Sequence, residues 1–220
     1  MLNTALSTMP LYLKHQVGYI RQFIKSPRTF GALAPSSPWL CKRMAGLADW
    51  TRVTRVAELG AGDGVLTRHL LNSLAPDALL DAWEIQPELA GKLLKLAERD
   101  PRLQVITRSA EYLESSYDVI FSCLPLLSIP VIPRLRILNK VHKRLTPDGM
   151  FIQFQYSPLS EKFLTRYFEW TRVFEIRNIP PAWVYLCTPR PEHRPARYVQ
   201  EEQDTHKQQP QGVHEQLPAG

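Results

Sequence analysis

The 220 residues carry 27 Lys and Arg against 21 Asp and Glu, and 44% of them are apolar, which suits one domain of ordinary size with a real core. No run of about 20 apolar residues occurs and the N-terminus lacks an h-region with a small-residue cleavage site, so neither a bilayer-spanning helix nor a signal peptide is expected. Cys41, Cys123 and Cys187 are odd in number and far apart, which gives neither a disulfide framework nor a metal site and suits a reducing cytosol.

The net charge of +6 is one-sided. Before Asp49 the chain holds Lys14, Arg21, Lys25, Arg28, Lys42 and Arg43 and no acid, whereas the tail from Arg190 holds four basic and five acidic residues. A basic N-terminus points to a polyanionic surface, either anionic lipid or nucleic acid. Residues 11–25 read as an amphipathic helix. Leu13, Val17, Ile20 and Ile24 recur at helical spacing, while Lys14, His15, Arg21 and Lys25 occupy the other side. That composition suits an interfacial helix, and equally a helix packed on a core with its basic face solvated. Pro27 ends it. A loop of small residues, 29–38, then leads to Ser37-Pro38, an N-cap and first helical position for a helix to about Ala48. The loop is either a connector or a lid over a ligand.

From there strands and helices alternate. Strands are predicted over 53–58, 79–84, 103–107, 117–122 and 150–156. Helices are predicted over 65–74, 88–99, 133–145 and 160–169, followed by a pair of strands over 173–177 and 183–187. The expected fold is α/β: a doubly wound, mostly parallel seven-stranded sheet with an antiparallel edge hairpin and N-terminal helices. The expected organisation is an N-terminal segment 1–48, a catalytic domain 49–189 and a disordered tail 190–220, whose Pro, Gln, Glu and His cannot offset the entropy of ordering.

The stretch Glu58-Leu59-Gly60-Ala61-Gly62-Asp63-Gly64 organises the chain. An apolar strand ends in a carboxylate, three glycines follow at alternate positions, and a helix begins at once. Glycine lets the backbone turn through positive φ and lets a ligand lie against it, while the helix N-terminus points at the same space. A dinucleotide site would place its third glycine where Val65 stands. Glu84, at the end of the second strand, is placed to accept hydrogen bonds from a ribose diol, and carboxylates near the cradle favour a cationic ligand.

These residues resemble the class I S-adenosylmethionine-dependent methyltransferases. The 58–64 stretch matches their first motif and Glu84 their ribose-binding acid, and the likeness spans about residues 50–188. The resemblance implies S-adenosylmethionine as cofactor, held by Glu58, Gly60, Gly62, Gly64 and Glu84, with Ser109 and Ala110 beside the adenine and Ser122 at the methyl end. Ser109 stands where the family commonly has an acid. Amine-methylating members carry a polar-to-proline loop after the fourth strand, where an oxygen and backbone carbonyls orient the amine. Here Ser122 and Pro125 match it, while Leu126 replaces the aromatic that stacks on a flipped base.

A closer likeness is carried by 23–37, by Ser122-Cys123-Leu124-Pro125-Leu126-Leu127-Ser128-Ile129-Pro130, by 151–156 and by Ile179-Pro180-Pro181-Ala182-Trp183-Val184. These resemble bacterial phospholipid N-methyltransferases of the soluble peripheral type, related to the rRNA adenine dimethyltransferases. The resemblance implies methylation of the phosphatidylethanolamine amine by an enzyme peripheral on the cytoplasmic membrane face. The basic helix would dock on anionic lipid, each Lys or Arg contributing about 1 kcal/mol. No nucleic-acid partner is then needed. Tyr156 is the candidate headgroup contact, with a packing role as its alternative. The rival readings are an rRNA adenine or small-molecule amine methyltransferase and a non-catalytic membrane-surface module.

Overall fold

The computed structural model describes residues 36–191. The predicted amphipathic helix, most of the 29–38 loop and nearly all of the tail lie outside them. Among the described residues no helix is long and apolar enough to cross a membrane.

Helix α1 (Pro38–Ala45) starts as its sequence dictates: the Ser37 hydroxyl accepts from Leu40 N–H and proline occupies the first turn. Its buried Leu40, Cys41, Met44 and Ala45 recur at helical spacing and pack on the sheet. The alternating region follows as β1 (Arg55–Leu59), α2 (Val65–Ser73), β2 (Leu79–Trp83), α3 (Pro87–Ala97), β3 (Leu103–Ile106) and β4 (Tyr117–Ser122). Then come α4 (Val131–Arg144), β5 (Leu145–Gln155), a short α5 (Glu161–Leu164), β6 (Phe168–Glu175) and β7 (Ala182–Pro189). All belong to the unit that ends at Pro189.

The seven strands lie in the order β3-β2-β1-β4-β5-β7-β6, with β1 to β5 parallel and β7 antiparallel to both its neighbours. The chain winds outward from β1 to β3, returns to β4 and winds the other way. The reversal between β1 and β4 opens a crevice beyond their carboxyl ends. Leu59 pairs with both Trp83 and Ser122, and Ser122 with Gln153, so four strand ends finish at one level around it. Alternate residues of each strand serve opposite faces. Val56, Leu80, Phe121 and Ile152 join α1, α2 and α3, whereas Ala57, Leu59, Ile120 and Phe151 join α4.

The structure departs from the sequence reading in two places. The predicted 160–169 helix shrinks to a 3₁₀ turn (Pro158–Ser160) and the four residues of α5, and β6 begins at Phe168 rather than Val173. Antiparallel pairing with all eight residues of β7 claims the Phe-Glu-Trp-Thr stretch, a tertiary override of a helical pattern. Strand β5 also starts before the predicted Thr146–Gly149 stop, because Leu145 already pairs with Tyr117 before the register shifts.

Two carboxylates fasten the frame away from the crevice. Asp118 accepts from the backbone N–H of Thr54 and Arg55 and from the Thr54 hydroxyl, tying β4 to the start of β1. Burial alone would raise its pKa, but these donors together hold it below the usual value. Glu175, nearly fully buried, sits between Arg177 and Arg43 and locks α1 onto β6.

Candidate active site

A cleft of about 730 Å³ opens at the carboxyl end of the sheet, bounded by the β1–α2 loop, the ends of β2 and β3, the β4–α4 loop and the end of β5. That is the size of a small-molecule site. Gly60, Gly62 and Gly64 all have positive φ, at 74°, 59° and 84°, and they serve different ends. A Cβ on Gly60 would lie 2.9 Å from Leu124 Cδ2, and one on Gly64 3.1 Å from Leu93 Cδ2, so these two let the loop pack. A Cβ on Gly62 would meet nothing within 4 Å, because Gly62 faces the open cleft. Gly64 lies outside the cleft wall and begins α2.

Glu84 holds this loop in shape. Its Oε2 accepts from Gly62 N–H at 2.9 Å and its Oε1 from Gln86 N–H at 2.8 Å. Each oxygen keeps a second lone pair for a ligand hydroxyl. Glu58 is fully buried at the floor. Its Oε2 accepts from the Thr67 hydroxyl at 2.6 Å, and its Oε1 has no partner. Burial, reinforced by the charge of Glu84, pushes its pKa up to about 8 against the opposing Thr67 bond. An orphaned carboxylate oxygen beside an open glycine is the arrangement a cationic nucleoside would complete, so the residues present fit S-adenosylmethionine.

Beyond β3, Ala110 and Ser109 line the cleft. The Ser109 hydroxyl accepts from Glu111 N–H and donates to Glu111 Oε1, both at 3.3 Å. An acid therefore stands two residues past the position read from the sequence, and Glu111 also lines the cleft.

The β4–α4 side is built differently. Ser122 is almost fully buried, and its hydroxyl accepts from Leu124 N–H at 3.3 Å, so it shapes the loop from beneath and does not reach the cleft. Leu126 is also buried, with its carbonyl held by Arg134 at 2.9 Å, and the residue that faces the cleft is Leu127. Position 126 therefore carries no information about base stacking. Pro125 and Tyr156 do line the cleft, and Phe154 meets the Tyr156 ring edge-on at 5.5 Å.

Two residues that sequence reasoning passed over brace this wall, Gln155 as a lining residue and Gln153 from behind it. Gln155 Nε2 donates to the Leu124 carbonyl at 2.8 Å, and Gln153 Nε2 donates to the Leu124 and Ser122 carbonyls, both at 3.2 Å. Their signal was a pair of amides in an otherwise apolar strand end, at positions later found nearly solvent-free. The cleft is also chemically divided. Glu58, Asp63, Glu84, Glu88 and Glu111 line it from the β1–β3 side, while Leu124, Pro125, Leu127, Ile129 and Phe154 line it from the other. Cys123 borders the cleft too, but burial pushes its thiol well above the usual range, so it is no ready nucleophile.

Comparison with known proteins agrees with this geometry. Residues 57–151 match the family model of a methyltransferase domain. Over 179 residues the chain is 31% identical to an ornithine lipid N-methyltransferase of Singulisphaera acidiphila, covering 77% of this chain and 93% of that one. In fold it resembles the N-methyltransferase NodS of Bradyrhizobium japonicum, solved with S-adenosyl-L-homocysteine (TM-score 0.58, 15% identity, 70% of this chain and 88% of that one). It also resembles a precorrin-6y C5,15-methyltransferase of Geobacter metallireducens (TM-score 0.54, 14% identity, 69% and 88%). At such identities these two likenesses show the fold alone.

Proposed function

Because the chain belongs to the class I S-adenosylmethionine-dependent methyltransferases and is related to the lipid N-methyltransferases, we propose that it methylates the amine of phosphatidylethanolamine at a membrane surface. The observation that carries this reading is the division of the cleft. The carboxylates line the cofactor side together with Lys92 and Arg108, whereas the wall facing them is mainly apolar, holds no Asp, Glu, Lys, Arg or His, and has Ser128, Gln155, Tyr156 and Ser157 as its polar members. A lipid headgroup with its acyl chains suits such a wall.

When bound, the cofactor supplies an electrophilic methyl group on a sulfonium. The protein's own part is alignment. Gly62 gives the cofactor close approach, Glu84 stands ready for its ribose hydroxyls, and Glu58 supplies a buried negative charge beside a cationic ligand. Gln153 and Gln155 pin the Leu124 carbonyl, and with it Pro125, so the loop that faces the amine is rigid. Holding two reactants in line is a large source of rate, and this site has the parts for it.

The relative favours a second lipid, one whose amine belongs to an ornithine headgroup. Labelled S-adenosylmethionine incubated with phosphatidylethanolamine vesicles, ornithine-lipid vesicles and ribosomal RNA separates the cases. Label in phosphatidylethanolamine is the expected result. Label in ornithine lipid alone moves the substrate, and label in RNA alone overturns the lipid reading. For the basic N-terminal segment we propose membrane docking from the cytoplasmic side. Replacing Lys14, Arg21 and Lys25 by Gln is then expected to weaken sedimentation with anionic vesicles.

A further inference from the structure

We propose that the β6–β7 turn and the start of α1 form a second membrane contact, an apolar edge that seats the cleft mouth on an anionic bilayer. This rests on the lipid-methylating reading above. Among the described residues, Trp39, Ile85, Ile132, Leu159, Ile176 and Ile179 are 49–85% exposed, and all of them stand at the carboxyl end of the sheet, where the cleft opens. Elsewhere the exposed large apolar side chains include Leu79 at the start of β2, at the opposite end, Leu94 on α3, and Val173 and Phe174 on β6. Exposed apolar residues scattered singly mean little, but a set gathered at the end of the molecule that holds the substrate site marks an interaction surface.

The densest part of that end is the turn after Glu175. Pairing of Glu175 with Ala182 and of Gln155 with Trp183 places residues 176–181 level with the end of β5, whose next residue, Tyr156, lines the cleft. Ile176 and Ile179 point outward there, at 69% and 85% exposure. Trp39 lies alongside with the Arg177 guanidinium 4.3 Å from its ring centroid, and Asn178 Oδ1 accepts from Ser37 N–H at 2.9 Å, so turn and helix form one surface.

The charge there names the occupant. Residues 36–45 and 175–181 carry Lys42, Arg43 and Arg177 against the single carboxylate of Glu175, which is buried between two of those arginines. The chain before Ser36, a cleft-lining residue, adds Lys14, Arg21, Lys25 and Arg28 and no acid. Aliphatic tips, an indole and guanidinium groups on one edge are what an anionic bilayer interface takes up, the apolar tips entering the acyl boundary while the cations stay at the headgroups. A soluble acidic partner would use the cations and leave the isoleucines wet.

The test uses the full chain and vesicles of phosphatidylcholine with phosphatidylglycerol. The double variant Ile176→Ser, Ile179→Ser is expected to bind them at least about tenfold more weakly, while Leu79→Ser binds as wild type. Both are expected to keep wild-type affinity for S-adenosylhomocysteine by calorimetry. Vesicles are also expected to slow amide exchange at residues 176–179 of the wild type. Unchanged vesicle binding by the double variant overturns the proposal. So does a dimer, seen by light scattering, that the double variant dissolves, because the edge then serves a second copy. Methylation of the lipid amine in detergent micelles keeps this apart from the function. If no lipid amine is labelled yet vesicle binding depends on the two isoleucines, the substrate reading fails and the contact stands.

Discussion

The two walls of the cleft are made by different means. On the β1–β3 side the backbone itself is the site: three left-handed glycines, with Glu84 clamping Gly62 N–H. On the β4–β5 side, side-chain amides from one strand fix the backbone of a neighbouring loop, and the surface lining the cleft is mainly apolar, with Tyr156 and Gln155 among it. The first wall suits a constant partner, because backbone geometry admits few solutions. The second can change its lining without disturbing the frame, as expected where relatives act on different substrates.

The sharpest break in the comparison would come from Gly62→Val. A Val at φ near 59° costs about 1–2 kcal/mol in stability, and its branches fill the space where the cofactor would lie. We expect S-adenosylhomocysteine binding by calorimetry to fall more than about a hundredfold with a modest drop in Tm. Wild-type affinity would show that the first wall is not the cofactor wall. Next in size is Gln155→Leu, which removes the shorter of the two amide bonds to the Leu124 carbonyl and leaves only the 3.2 Å bond from Gln153. We expect kcat to fall about tenfold with cofactor affinity unchanged, since a loop misplaced by a fraction of an ångström loses alignment rather than binding. Loss of cofactor affinity instead would mean that the walls are not separable.

A smaller effect concerns Glu58. Its folded pKa of about 8 lies above the ordinary 4.5, so its contribution to stability is fully present below 4.5 and is lost as pH rises through 8. A cationic ligand favours the ionised form. Binding of S-adenosylmethionine at pH 7 is therefore expected to release up to about one proton, read by calorimetry in buffers of different ionisation heat, and Glu58→Gln abolishes the release. The smallest effect lies outside the cleft, at Glu175. Hydrogen bonds from Arg177, then from Arg43, hold its pKa at about 2, so its stabilising contribution is present above 4.5 and is lost as pH falls toward 2. The gap in urea midpoint between wild type and Glu175→Gln is expected to close over that range, leaving cofactor binding at neutral pH untouched.

What could be read along the chain was set by local rules. The Gly60–Gly64 spacing, the Ser37-Pro38 cap and the alternation of strand and helix lie in contiguous residues and depend on φ preferences, capping and periodicity. The alternation implied a doubly wound parallel sheet with an edge hairpin, while the strand order, with β7 between β5 and β6, came from the folded structure. Ser122 was misjudged as a cleft residue because a strand-end polar side chain can face either way, and only the packed loop shows its hydroxyl turned to Leu124 N–H. Gln153 and Gln155 were missed for a related reason, since their target carbonyl lies 29 and 31 residues away.

By itself, then, the sequence determined the parallel sheet, the glycine cradle with its two carboxylates and the family to which they belong, because each rests on neighbours in the chain. Tertiary structure alone decided that Leu127 rather than Leu126 meets the cleft, that Glu111, two residues past Ser109, brings an acid to it, and that Trp39 lies against Arg177. Those facts depend on which residues distant in the chain are packed together, and packing is settled by the whole core at once.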